Sequence, residues 1–223
     1  MPILPETENP YTRLLQECQK YGAALLAVSK TRKEKQVMEL YQQGQRIFGE
    51  NRAHELIIKA SLLPSDIEWH LIGHLQSNKV KSVISFASCI QSLDSWKLWQ
   101  KIQAEAAEAE KKVLCFLQIK IAAEETKYGW DYNELMDILQ TGKFRELKNV
   151  SIGGVMGMAS LTKDQEQVRK EFRQLREYFE TLKSEYFKED PEFRIISMGM
   201  SGDYKIALEE GSNMIRIGSL LFS

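Results

Sequence analysis

Lys30 is the residue of this chain best placed for covalent chemistry. It closes the run Leu-Leu-Ala-Val-Ser-Lys at positions 25–30, so a primary amine stands at the end of an apolar stretch. Only a neutral amine attacks a carbonyl, and with a reference pKa of about 10.4 an ordinary lysine is neutral less than about one part in a thousand at pH 7. Part burial in a barrel mouth and the like charges of Arg32 and Lys33 would both favour the neutral form. Such an amine suits Schiff-base formation. The plainer alternative is a strand-end lysine that snorkels to water.

A second group of residues suits an anion. Ser201-Gly202 and Gly218-Ser219 combine glycine, which lets a backbone come close to a phosphate, with hydroxyl donors. Ser201 is also placed to cap a helix starting at Asp203, whose free N–H groups favour an anion. Asp203 works against this unless its side chain turns away. The alternative is a mere helix cap and tight turn. Arg216, Gly218 and Leu220 share one side of an extended strand. An arginine facing an interior needs an acceptor. A pyridine nitrogen is one, and a permanently protonated arginine would leave that nitrogen unprotonated, a weak electron sink. The alternative is a structural salt bridge, with Glu50 a candidate partner. His70 and His74 are four apart across a strand end, with no third ligand at a clear spacing, so no metal site is expected. Trp69 and Trp96 read as packing residues. Met156, Met158, Met198 and Met200 read as filling of an interior.

These residues need a scaffold that brings strand ends together, and the chain supplies one. Apolar runs at 25–30, 46–51, 67–73, 89–93, 113–121, 150–158, 193–200 and 213–221 read as strands. Between them, helical spacing and stop signals place helices at 34–43, 52–62, 77–86, 95–111, 131–140, 164–186 and 203–210. Strict alternation implies parallel strands with right-handed crossovers. Eight such units in a single domain, 1–223, predict a closed (β/α)₈ (TIM) barrel of the α/β class, with an open α/β sheet as runner-up. No GxGxxG follows the first strand, so the dinucleotide-binding form of the open sheet lacks its main signal. In the barrel, active sites lie at the C-terminal ends of the strands, where Lys30, Asn51, His70, Ser201 and Gly218 fall.

Composition removes other classes. The formal net charge is −1, too balanced for a nucleic-acid protein or a polybasic membrane anchor. Three widely spaced cysteines form neither a disulfide framework nor a CxxC metal pattern, and a cytoplasmic location is expected. The N-terminus, with Glu6 and Glu8, does not resemble a signal peptide, and no apolar run reaches the ~18 residues of a membrane span.

Seven segments in order over nearly the whole chain resemble one family: LLAVSKT (25–31), FGEN with HE (48–55), WHLIGHLQSNK (69–79), SLD (92–94), KYG (127–129), GGVMGM (153–158) and SMGMSGDYKIALEEGSNMIRIGSLLF (197–222). It is the pyridoxal-phosphate homeostasis family, also called the YggS or proline-synthase co-transcribed family. The resemblance implies the barrel of the alanine racemase N-terminal domain and pyridoxal 5′-phosphate as cofactor. It implies Lys30 as the Schiff-base lysine, Ser201, Gly218 and Ser219 as phosphate contacts, and Arg216 at the pyridine nitrogen. Asn51 and His70 are expected to line the pocket. Arg32, Lys120 and the Gly157-Met158-Ala159 segment depart from the commoner family pattern, and none of them touches Lys30 or the phosphate loops.

The family implies a carrier or regulator of the cofactor and of related B6 vitamers, without established catalysis and with effects on amino-acid and keto-acid balance. Apo-enzymes that use the cofactor are the expected partners, and a monomer is expected. A racemase of this fold needs a second base from an added β-domain, for which no sequence follows the eighth strand here. An aldolase using Lys30 without cofactor would need an acid/base partner, and Glu50 is the only obvious one.

Overall fold

The computed structural model describes residues 9–124 and 128–222. Lys127 of the KYG segment and the N-terminal Glu6 and Glu8 lie outside the described residues.

Eight parallel strands close on themselves in sequence order. They are β1 (Ala24–Val28), β2 (Ile47–Glu50), β3 (Glu68–Leu71), β4 (Cys89–Leu93), β5 (Val113–Gln118), β6 (Val150–Met156), β7 (Ile195–Ser197) and β8 (Met214–Ile217). The helices are α1 (Pro10–Lys20), α2 (Glu34–Gln42), α3 (Ala53–Leu62), α4 (Val80–Val83), α5 (Trp96–Glu108), α6 (Tyr132–Gln140), α7 (Gln165–Glu185) and α8 (Tyr204–Glu209). Closure runs through β1 and β8, where Leu26 sits opposite Arg216. The closed barrel replaces the open sheet kept as an alternative.

Parallel strands covered by helices are buried on both faces, which is why they read as continuous apolar runs. Along β1 the period of two sends Leu25 and Ala27 to the helix layer and Leu26 and Val28 to the barrel interior. Cys89, Phe116, Met156 and Met214 join Leu26 and Val28 inside. The helices carry apolar stripes at helical spacing. In α7, Val168, Phe172, Leu175, Phe179 and Leu182 are buried, and Asp164 caps its start by accepting the Glu166 and Gln167 N–H groups.

The structure adds one element and corrects two expectations. Helix α1, which no reading of the sequence anticipated, packs Tyr11, Leu14 and Cys18 against the barrel, with Asn9 as its cap and Pro10 in its first turn. The helix expected at 77–86 is a 3₁₀ turn at Ser77–Lys79 followed by a single turn of α4. All the strands except β4, which ends at Leu93 as expected, end earlier than the apolar runs, because residues past the last ladder bond turn into the loops of the barrel mouth. Strand β8 stops at Ile217, so Leu220 does not continue its alternation and is 39% exposed. Cys18, Cys89 and Cys115 are free and buried. Among the described residues no helix is long and apolar enough to cross a membrane.

Candidate functional site

A cavity of about 490 Å³ opens at the C-terminal ends of the strands. Lys30, Asn51, Ser201, Arg216, Gly218 and Ser219 all line it. Residues from the first, second, seventh and eighth strand ends, up to 189 positions apart in the chain (Lys30 to Ser219), thus meet in one place. A larger concavity of about 660 Å³ lies around Trp99, Phe144 and Phe187 beside the start of β6. It holds none of the candidate residues. The smaller cavity has the convergent polar groups that mark a ligand site.

Lys30 differs from its expectation. Strand β1 ends at Val28, so Lys30 stands in the turn above the barrel and is exposed rather than partly buried. The site therefore does not depend on burial of this amine. The Lys30 side chain nevertheless lines the cavity, together with Val28. Ser29 takes the opposite side and faces α3.

His70 is corrected as well. It lies within β3 and points into the barrel one layer below the cavity, which it does not line. It ends a chain of buried donors. Arg216 Nη1 donates to Ser197 Oγ at 2.8 Å, Ser197 Oγ to Gln91 Oε1 at 2.7 Å, and Gln91 Nε2 to His70 Nδ1 at 2.8 Å. This order puts the imidazole proton on Nε2. Arg216 also donates to the carbonyls of Ser197 at 2.7 Å and Gly157 at 2.9 Å. Burial brings its guanidinium down to about 10, so it stays protonated at neutral pH. Glu50 is not its partner. Glu50 faces the helix layer, fully buried, and pairs with Lys59 at 2.6 Å. That also removes Glu50 as the acid/base of a cofactor-free aldolase.

Burial pushes the His70 imidazole down to about 4, against about 6.5 when unfolded. The folded pKa is the depressed one, so its contribution is complete above pH 6.5. It is lost as pH falls through the folded value, because the unfolded chain takes up a proton that the folded chain refuses. We expect roughly 2–3 kcal/mol of stability to disappear between about pH 7 and about pH 4 through this group. Urea unfolding of the protein and of His70→Gln across that range tests it. The variant should lose less stability than the parent, and parallel losses would refute the assignment.

The turn after β7 departs from the expected cap. Ser201 is not the cap of α8; Asp203 holds that position, and its Oδ1 accepts the Met200 N–H at 2.6 Å. The carboxylate is thereby turned to its own backbone. Ser201, Gly202, Gly218 and Ser219 remain on the cavity wall. Of the four methionines expected inside, Met156 packs in the barrel interior and Met198 is buried with the helix layer. Met158 and Met200 line the cavity instead, and Met200 is 37% exposed. Trp69 and Trp96 pack against Phe48 and Trp99.

The cavity also holds residues that the sequence did not assign to the cofactor site. His74 lines it, with Nδ1 2.8 Å from Asp94 Oδ2, and its ring stacks on Tyr128 at 3.9 Å between centroids. Gln118 donates to the Tyr128 carbonyl at 2.8 Å. A polar residue inside the longest apolar run, 113–121, was the available signal for Gln118. His70 and His74 thus have separate partners, and no metal-ligating cluster occurs among the described residues.

A barrel of this topology with a lysine, a buried arginine and two Ser/Gly turns at one mouth has relatives among known proteins. The alanine racemase N-terminal domain family matches residues 8–223. Alanine racemase of Clostridium difficile 630 shares the fold, with a TM-score of 0.75 at 14% identity over 96% of this chain and 56% of that one. The pyridoxal phosphate homeostasis protein of Aquifex aeolicus is 37% identical over 216 residues, 94% of this chain and 92% of that protein. That of Vibrio alginolyticus is 34% identical over 203 residues, 89% of this chain and 84% of the relative. PipY of Synechococcus elongatus, solved with PLP bound, superposes with a TM-score of 0.84 at 33% identity, covering 96% of this chain and all of PipY. The chain belongs to the pyridoxal phosphate homeostasis protein family, built on the alanine racemase N-terminal domain.

Proposed function

We propose that this protein holds pyridoxal 5′-phosphate as a Schiff base on Lys30 and serves as a store, supplier or regulator of the cofactor rather than as a dedicated enzyme. The observation that carries this reading is the meeting of the Lys30 amine, the buried Arg216 and two Ser/Gly turns in one open cavity. The donor set fits the cofactor. Ser201, Gly218 and Ser219 offer hydroxyl and close backbone donors to its phosphate. Arg216 offers a fixed cation to its ring nitrogen, and Asn51 a side-chain amide on the wall. His70 acts from below, at the far end of the chain that orients Arg216. The bound cofactor supplies an aldehyde that a lysine amine can capture and release. Capture forms a C=N bond from Lys30 Nζ to the aldehyde carbon and expels the oxygen as water, with no change of oxidation state.

Two features favour carriage over turnover. Arg216 stays charged, so it donates to the ring nitrogen rather than protonating it, which leaves the ring a poor electron sink. Lys30 is exposed, so an incoming amine can reach it from solvent. The reading includes B6 vitamers and cofactor-requiring apo-enzymes as partners. It includes a monomer in the cytoplasm, and a shift of amino-acid and keto-acid balance when supply changes. The near-neutral charge gives no footing for nucleic acid.

A transfer assay tests the function. The loaded protein should reactivate an apo-aminotransferase without first releasing its cofactor to a phosphatase trap. In deuterated water it should exchange the α-hydrogen of L-alanine no faster than free cofactor does. Multiple-turnover exchange would make it an enzyme, and failure to reactivate any acceptor would remove the delivery role.

A further inference from the structure

The turn that carries Lys30 is gripped from behind. Thr31, directly after it, lies in the left-handed region with φ of 61°. For a β-branched residue this conformation is strained, and it persists only where surroundings hold it. Side chains of β2 and α3 do so. Lys59, 4% exposed, donates from Nζ to the Ser29 carbonyl at 2.7 Å and to Glu50 Oε1 at 2.6 Å. The same Glu50 oxygen accepts from Ser29 Oγ at 2.6 Å. Glu55 Oε2 accepts the Thr31 N–H at 3.0 Å, so the residues on both sides of Lys30 are tied to neighbouring elements. Glu50, Glu55 and Lys59 do not line the cavity.

A buried lysine–glutamate pair is an expensive way to stabilise a fold, since desolvation offsets most of the attraction. Here Glu50 also faces the Glu55 carboxyl, and burial raises the Glu50 carboxyl above its ordinary value. What the pair does achieve is geometric. It fixes the Ser29 carbonyl and hydroxyl, while Glu55 fixes the Thr31 amide. The backbone from which the Lys30 side chain departs then has one conformation.

We propose that Lys59 and Glu50, together with Glu55, are positioning residues that aim the Lys30 amine at its carbonyl partner. This rests on the reading of Lys30 as the Schiff-base lysine. The network acts on the direction of attack and on the closed C=N bond, and it leaves phosphate and ring binding alone.

Two ligands separate these effects. Pyridoxal 5′-phosphate reports ring, phosphate and Schiff base together, and 4′-deoxypyridoxine 5′-phosphate, which lacks the aldehyde, reports ring and phosphate only. Lys59→Met and Glu55→Ala should each weaken aldehyde binding and slow the borohydride-trappable adduct by about 10- to 100-fold, with analogue affinity held within about twofold. Glu55→Ala leaves the buried pair intact, and Lys59→Met/Glu50→Leu removes both charges at once, so the test survives if Lys59→Met alone fails to fold. Equal losses for both ligands, or folded variants with unchanged adduct formation, would overturn the positioning role. A parent protein that gives no adduct on Lys30 would overturn the functional reading instead.

Discussion

Replacing Lys30 with alanine should abolish the yellow Schiff-base band and weaken pyridoxal 5′-phosphate binding by about 100-fold or more, because a covalent link is exchanged for contacts alone. The same change should shift the melting temperature of the cofactor-free protein by no more than about 2 °C, because surface substitutions away from caps and buried networks are nearly neutral. The contrast comes from exposure. Lys30 stands in a turn above the last ladder residue of β1, while the residues on either side of it are bonded to β2 and α3 through atoms the substitution leaves in place. Absorbance titration and thermal unfolding on the same samples measure both. A mutant that keeps the band, or one that unfolds far below the parent, would show that Lys30 has a different job.

Arg216→Met should be the more damaging change to the fold. The side chain is 3% exposed and supplies donors to the Ser197 carbonyl, the Ser197 hydroxyl and the Gly157 carbonyl. Methionine fills similar space flexibly but donates nothing. The Ser197 carbonyl keeps the Gly157 N–H and the Ser197 hydroxyl keeps its bond to Gln91, so the Gly157 carbonyl is the acceptor left bare. At about 1–3 kcal/mol for that group and about 1 kcal/mol for each of the two other bonds lost, the loss should reach about 3–5 kcal/mol. Urea unfolding reads it directly. Arg216→Lys keeps a charge but cannot span both strand ends, so it should fall between the two. A methionine variant within about 1 kcal/mol of the parent would mean that these bonds carry no net stability. In variants that stay folded, the absorbance of bound cofactor should also change if Arg216 faces the ring nitrogen as proposed.

Much of this was legible in the sequence, and the misses have physical causes. All eight strands were readable because parallel strands buried on both faces leave apolar runs, and the helices expected from Ser95, Asp131 and Asp164 start one residue later, with those three side chains as their caps. Apart from β4, strand ends were not readable. Apolar residues continue past the ladder into the loops, so the eighth run extends to 221 while its ladder stops at Ile217. Helix α1 had a usable signal in Asn9-Pro10 followed by Tyr11, Leu14 and Cys18, but no preceding strand drew attention to it.

At the site, the candidates met where the strand-end rule placed them, with two shifts of one layer. Lys30 lies higher and His70 lower than expected, because the period of two sets which side a residue faces and not how deep it lies. Tyr128, Gln118 and His74 are joined by stacking and by a bond to a backbone carbonyl across the mouth, and no spacing in the chain encodes those contacts. The Glu50–Lys59 pair escaped for the same reason. Its members stand nine positions apart, and only the packing of α3 on β2 turns two ordinary charges into a buried bond.

Borohydride reduction of the protein loaded with pyridoxal 5′-phosphate, followed by peptide mapping, tests the cofactor site most directly. A phosphopyridoxyl group confined to the peptide that contains Lys30 is the expected result. A group fixed mainly on another lysine, or none above the level of an unfolded control, would contradict the site assigned to this barrel.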